Sequence, residues 1–213
     1  MIKTQGNSRM IGKCSQRGKK NRLRGFSVVE LLMVVIVVGV IAGFAVPFFL
    51  TISRNLRTSG DARDIHGAIT LAKMRAASGF TKARMYADLP SNTFRIEKWD
   101  KTAASWQTEG GSQSLSRDVN WGYGSLSSPP TGTQSSIGQA PVCRNNAGAN
   151  IANTACVVFN SRGIPIIDST GVPTGNGALY ANDGSSVYGL TISATGLIRI
   201  WRTDIGAANW VKR

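Results

Sequence analysis

The residues able to do chemistry in this chain are few. The single histidine, His66, stands two positions from Asp64. A general base must be held within reach of the proton it takes, and on a helix rich in arginine this pair reads as solvated. The three cysteines are Cys14, Cys143 and Cys156. With one histidine they leave no Cys–His dyad and fall short of the four-ligand set of a structural zinc site. No metal and no cofactor are expected. Asp168 and Asp183 sit in Gly/Ser-rich stretches, where aspartate ordinarily turns or caps the chain. No glycine-rich segment follows a strand and opens a helix as a phosphate loop requires. These absences disfavour a membrane-anchored enzyme.

Two other constellations stand out. Cys143 and Cys156, with 12 residues between them, suit a disulfide if the domain is exported; the alternative is two buried thiols. Near the C-terminal end, Arg199, Arg202, Lys212 and Arg213 are interleaved with Trp201 and Trp210 and opposed only by Asp204. Cations bind phosphates without reading sequence, and aromatics stack on exposed bases. The four cations are therefore candidate DNA contacts. The alternative is a solvated strand edge with Trp201 in the core and a frayed tail.

The elements that would position these groups follow from the charge and hydropathy pattern. The chain has 213 residues and a formal charge of +14. Residues 1–25 carry eight of the 25 basic residues and no acid; the remainder holds 17 basic against 11 acidic, a charge of +6. Residues 26–50 contain one charge, Glu30, and are apolar all round. Such a run is long enough to cross a hydrocarbon layer of about 30 Å. The basic flank predicts a cytoplasmic N-terminus and a domain on the far side of the membrane. Residues 51–87 read as an amphipathic continuation of the helix, with Ile52, Leu56, Ile65, Ile69, Ala72 and Ala76 on its packed face.

Residues 88–213 read as a β-rich domain. Strands are predicted at 93–99, 119–121, 155–160, 164–167, 178–180, 187–193 and 197–202, with variable loops at 110–150. In the last strand Ile198, Ile200 and Arg202 share one face, and Leu197, Arg199 and Trp201 the other. Gly196 marks the hairpin turn before it.

The junction Arg24-Gly25-Phe26-Ser27-Val28-Val29-Glu30 resembles a type IV prepilin signal, with a basic leader ending in glycine and a glutamate five residues past the cut. Pro47 matches a proline common in such helices. The resemblance implies cleavage between Gly25 and Phe26 and methylation of the new Phe26 amine by a prepilin peptidase. It also implies roles for Glu30 and Pro47 in assembly. The physics agrees, because a lone carboxylate in an apolar helix is costly without a partner. The Phe26 amine of a neighbouring subunit would supply one and fix the axial step.

A second segment, Ala155-Cys156-Val157-Val158-Phe159-Asn160-Ser161-Arg162-Gly163-Ile164-Pro165, resembles the GspH/FimT family of type II secretion pseudopilins and type IV minor pilins. That family implies an α+β fold: a long N-terminal transmembrane helix packed on a small antiparallel β-sandwich. It implies a structural subunit at or near a filament tip. Its partners would be other pilin or pseudopilin subunits, the prepilin peptidase, an inner-membrane assembly platform and membrane lipid. Some members bind DNA during uptake, which the basic C-terminal end could serve.

Overall fold

The computed structural model describes residues 25–207 and 209–213, apart from the side chains of residues 47, 50 and 51. The expected leader therefore lies outside the described residues except for Gly25. The fold is α+β. Among the described residues, one helix, α1 (Val28–Ser78), precedes ten strands: β1 (Ala83–Asp88), β2 (Thr93–Asp100), β3 (Ser105–Ser114), β4 (Asn120–Trp121), β5 (Thr154–Phe159), β6 (Pro165–Ile166), β7 (Gly177–Asn182), β8 (Ser186–Ile192), β9 (Ile198–Asp204) and β10 (Val211–Lys212). The chain divides into two compact units between Val46 and Pro47.

In the first unit, Val28–Val46 has a mean hydropathy of 2.8 and no buried residue. It is long and apolar enough to cross a membrane. Helical hydrogen bonding begins at Ser27, whose carbonyl accepts from the Leu31 N–H at 3.1 Å. Ser27 thus occupies the N-cap and Glu30 the third helical position, the spacing of a capping box.

In the second unit, two five-stranded antiparallel sheets share one core with the rest of α1. Their orders are β3-β2-β1-β5-β6 and β10-β9-β8-β7-β4. The helix contributes Ile65, Ala68, Ile69, Ala72 and Ala76. The small alanines let the sheets approach, while the two isoleucines are wholly buried. The first sheet supplies Met85, Phe94, Val157 and Phe159, and the second Leu179, Leu190 and Ile192. Fully burying each such large side chain is worth about 1.5–3 kcal/mol.

Polar clasps add direction to this contact. Thr58 donates to Asp183 Oδ2 at 2.8 Å, the Ser116 N–H donates to Asp61 Oδ2 at 2.9 Å, and Lys73 Nζ donates to the Gly196 carbonyl at 2.9 Å.

The outer faces are covered by loops. Tyr86, Cys156, Val158 and Ile166 lie with Cys143 beneath one. Tyr180, Ala178 and Val187 lie with Leu126 beneath another.

Three expectations change. First, the helix does not run to residue 87. It ends at Ser78, and 83–88 forms β1, hydrogen-bonded on both sides to β2 and β5. The stop is a Schellman arrangement, with the Thr81 N–H on the Ala76 carbonyl and the Phe80 N–H on that of Ala77. Second, Ile52 and Leu56 are not on the packed face. They are 40% and 68% exposed, and burial on the helix starts at Thr58. Third, β3 and β10 are strands that the sequence reading did not place. β3 reaches Ser114 across a bulge opposite Phe94–Ile96, inside the stretch expected to be loop.

Candidate functional site

The two aspartates singled out in the sequence, Asp168 and Asp183, are held in structural contacts. Lys82 pairs with Asp168 at 2.9 Å. Asp183 accepts from the backbone N–H groups of Ser185 and Ser186 and from the hydroxyl of Thr58. Burial alone would raise its pKa, but these hydrogen bonds outweigh it and hold the carboxyl below the usual aspartate range. Thr70 bonds the His66 carbonyl, not its ring. Among the described residues, no group of three or more His, Cys, Asp or Glu side chains is placed to hold a metal.

Sequence reasoning missed one charged cluster. Arg84, the second residue of β1, is 2% exposed and donates to Glu97 Oε2 at 2.6 Å. The two are directly opposite in the β1–β2 register. Glu97 also accepts from Arg95 at 2.7 Å. Arg84 stacks on Trp106 at 3.9 Å, and Arg95 on Tyr86 at 3.8 Å. Burial lowers the Arg84 pKa and Glu97 opposes that shift. An arginine so enclosed has no free edge for substrate; this is a packing network. The available signal was the opposed charges on neighbouring strands, and it needed the β1–β2 register to be read.

Cys143 and Cys156 are joined as a disulfide, with Cα atoms 5.0 Å apart. It ties the loop before β5 to that strand. The Cys143 N–H also donates to Thr154 Oγ1 at 3.0 Å.

The four C-terminal cations are brought near one sheet edge, but not onto one face. In β9, Ile198 and Ile200 pack against the core that includes the helix. Arg202 shares their side, paired across from Tyr188 and Val211. Arg199 and Trp201 take the other side, where Trp201 is opposite Lys212. Arg213 follows on the Arg202 side, its N–H bonded to the Ile200 carbonyl at 3.0 Å. Neither tryptophan N–H is free: Trp201 donates to Thr191 and Trp210 to the Ser128 carbonyl, each at 2.9 Å. Trp210 also packs on Tyr180, with ring centroids 5.8 Å apart.

On the helix side, Arg202 and Arg213 join Arg63 in a cleft of about 360 Å³ lined also by Leu56, Tyr188 and Ile200. Arg63 was not singled out by the sequence reading. Arg202 reaches Asp204 at 3.0 Å through Nη2, while its Nε is buried without a partner among the described residues.

At the other end of the chain, Phe26 is 79% exposed and Glu30 lies exposed in the first turn of α1. Pro47 lies within α1, with its side chain outside the described residues.

No family model matches this chain, and no curated protein does. Among solved structures it is similar to two of the minor pseudopilin EpsH from the type 2 secretion system of Vibrio cholerae. Both alignments have 11% identity. One has a TM-score of 0.44 and covers 70% of this chain and 98% of that one; the other has 0.41, 68% and 92%. At these values neither alignment assigns a family or an activity.

Proposed function

We propose that this chain is a minor pilin or pseudopilin, a non-catalytic subunit of a type II secretion pseudopilus or a type IV pilus. The observation that carries this reading is the junction at Gly25–Phe26. A basic arm ends there, and Glu30 follows as the lone charge of an apolar run, Val28–Val46, with no buried residue. A prepilin peptidase cuts after Gly25 and methylates Phe26. The helix holds the subunit in the inner membrane as a single pass, with the N-terminus cytoplasmic and the β domain outside. The subunit then leaves the bilayer through an assembly platform and joins sister subunits at or near the filament tip.

Glu30 sets the step of that transfer. An ionised carboxylate among apolar helices is tolerated when an amine neutralises it. The processed Phe26 of the next subunit is that amine. Its N-cap spacing with Ser27 gives Glu30 a local role as well, so a test must separate the two. Glu30→Gln keeps a side chain able to complete the cap and removes the charge. The expected result is normal cleavage with loss of filament incorporation, read by cross-linking to sister subunits. Normal incorporation of Glu30→Gln contradicts the pairing role.

A DNA-uptake version of the same role asks Arg199, Arg202, Lys212 and Arg213 to act on one phosphate backbone. Their division between two faces, and the engaged tryptophans, favour the structural role.

A further inference from the structure

The cleft at Arg63, Arg202 and Arg213 is not explained by assembly through the apolar helix. It gathers three guanidinium groups and no carboxylate among its lining residues. The nearest acid in contact, Asp204, is 68% exposed at its side chain, so its pairing with Arg202 is screened by solvent. Of the helix acids nearby, Asp61 is turned away onto Ser116, and Asp64 is exposed outside this lining, in the neighbouring cleft that Arg63 also borders. Arg54 and Arg57 are exposed on the preceding turns of α1, outside the lining.

The helix side of this cleft carries one exposed large apolar side chain, Leu56, between Asn55 and Ser59. Leu56 lines it at 68% exposure, and Ile52, one turn earlier, is 40% exposed. An amphipathic helix burying its packed face would not spend two large side chains this way. Along the chain, Leu56 follows the end of the apolar run at Val46 by only ten residues. Exposed leucine and isoleucine beside clustered arginines, directly after a membrane-crossing run, are what the headgroup–acyl boundary of a bilayer selects. Arginine also suits the partner, since its planar fork matches phosphate oxygens.

We infer that this cleft binds the phosphate of an anionic phospholipid headgroup, holding the β domain against the membrane before the subunit enters a filament. This rests on the reading that residues 28–46 lie in a bilayer. The lipid contact would be surrendered on assembly, which makes it a holding site rather than a filament interface.

The test uses the full chain. In zwitterionic detergent it is offered equal amounts of phosphatidylglycerol and phosphatidylcholine with the same acyl chains, and bound lipids are counted by native mass spectrometry. One cation near an anionic surface is worth roughly fivefold in affinity. The expected preference for phosphatidylglycerol is therefore on the order of tenfold, falling to near parity in R63Q/R213Q. Both residues are exposed, so the variant should fold. The double variant R199Q/K212Q removes the same charge from the opposite face and should keep the preference. Equal binding of both lipids by the unaltered chain overturns the proposal, as does equal loss in both double variants. Displacement of the lipid by millimolar inorganic phosphate would mark a free-anion site and also overturn it. So would a duplex oligonucleotide that binds more tightly than the lipid and is lost in R63Q/R213Q. Flotation with pure phosphatidylcholine vesicles separates the two layers of the account. A chain that fails to float removes the membrane reading and the cleft with it; a chain that floats without lipid preference removes only the cleft.

Discussion

Lys73 on α1 donates from Nζ to the carbonyl of Gly196 at 2.9 Å, beneath the β8–β9 turn. Its methylenes also lie against Gly163 in the β5–β6 turn, where an added Cβ would fall 3.2 Å from Lys73 Cε. One helix side chain thus meets a turn from each sheet. The two turns touch each other as well: a Cβ at Gly196 would lie 2.8 Å from the Gly163 carbonyl oxygen. Both glycines have positive φ, +70° at Gly163 and +75° at Gly196.

Substitutions at these glycines should therefore differ in size. Gly196→Ala combines left-handed backbone strain of about 1–2 kcal/mol with a clash against backbone that cannot easily move. A loss of about 2–3 kcal/mol is expected in urea unfolding. Gly163→Ala meets only a flexible lysine stem and should lose about 1–2 kcal/mol. Equal losses, or none at Gly196, would show that the turns are not packed as described.

The Thr58–Asp183 contact gives a pH prediction. The folded-state carboxyl of Asp183 is held below its ordinary value. Its contribution is thus complete above the unfolded pKa of about 3.9 and is lost as pH falls through the lower folded value. Asp183→Asn should be less stable at neutral pH by about 1–2 kcal/mol. The gap between the two proteins should close in acid. A gap that stays constant down to pH 2 would remove the charged-acceptor role.

Phe80 is the residue in the left-handed position that ends α1, at φ +47° and 76% exposed. A bulky residue is strained there, and its exposed ring recovers little by burial. Phe80→Gly should raise stability by about 0.5–1 kcal/mol, the strain relieved being partly offset by glycine's greater unfolded-state entropy. A loss of stability on thermal unfolding would mean that the ring makes a contact that matters.

Replacing both Cys143 and Cys156 by serine should cost about 3 kcal/mol, the value for closing a loop of this length in the unfolded chain. Reductant should cost the unaltered protein a similar amount and the double variant nothing. Sensitivity of the double variant to reductant would contradict this.

Much of this was readable from the residues. The apolar run and the glycine turns at 163 and 196 are local signals, carried by hydropathy and by backbone freedom. Seven of the strands were readable for the same reason, since their β-branched and aromatic runs are bounded by turn residues. β1 was hidden because Ala83-Arg84-Met85-Tyr86-Ala87-Asp88 is rich in helix formers and carries an arginine at its second position. Only the facing Glu97 makes that arginine buriable. β3 was hidden by Gly110 and Gly111, which its bulge accommodates. The division of the C-terminal cations was legible in part, since an odd spacing between Arg199 and Arg202 puts them on opposite faces of a strand. Arg63 completes their cleft from the helix, 139 positions away from Arg202 in the sequence. No spacing rule reaches that far.

The central claim is processing at Gly25–Phe26, and the most direct measurement is the mass and N-terminal sequence of the chain recovered from the inner membrane. The expected protein begins at Phe26 with a methylated amine and lacks the eight basic residues of the leader. A chain that keeps the leader intact, in cells with an active prepilin peptidase, would contradict the claim.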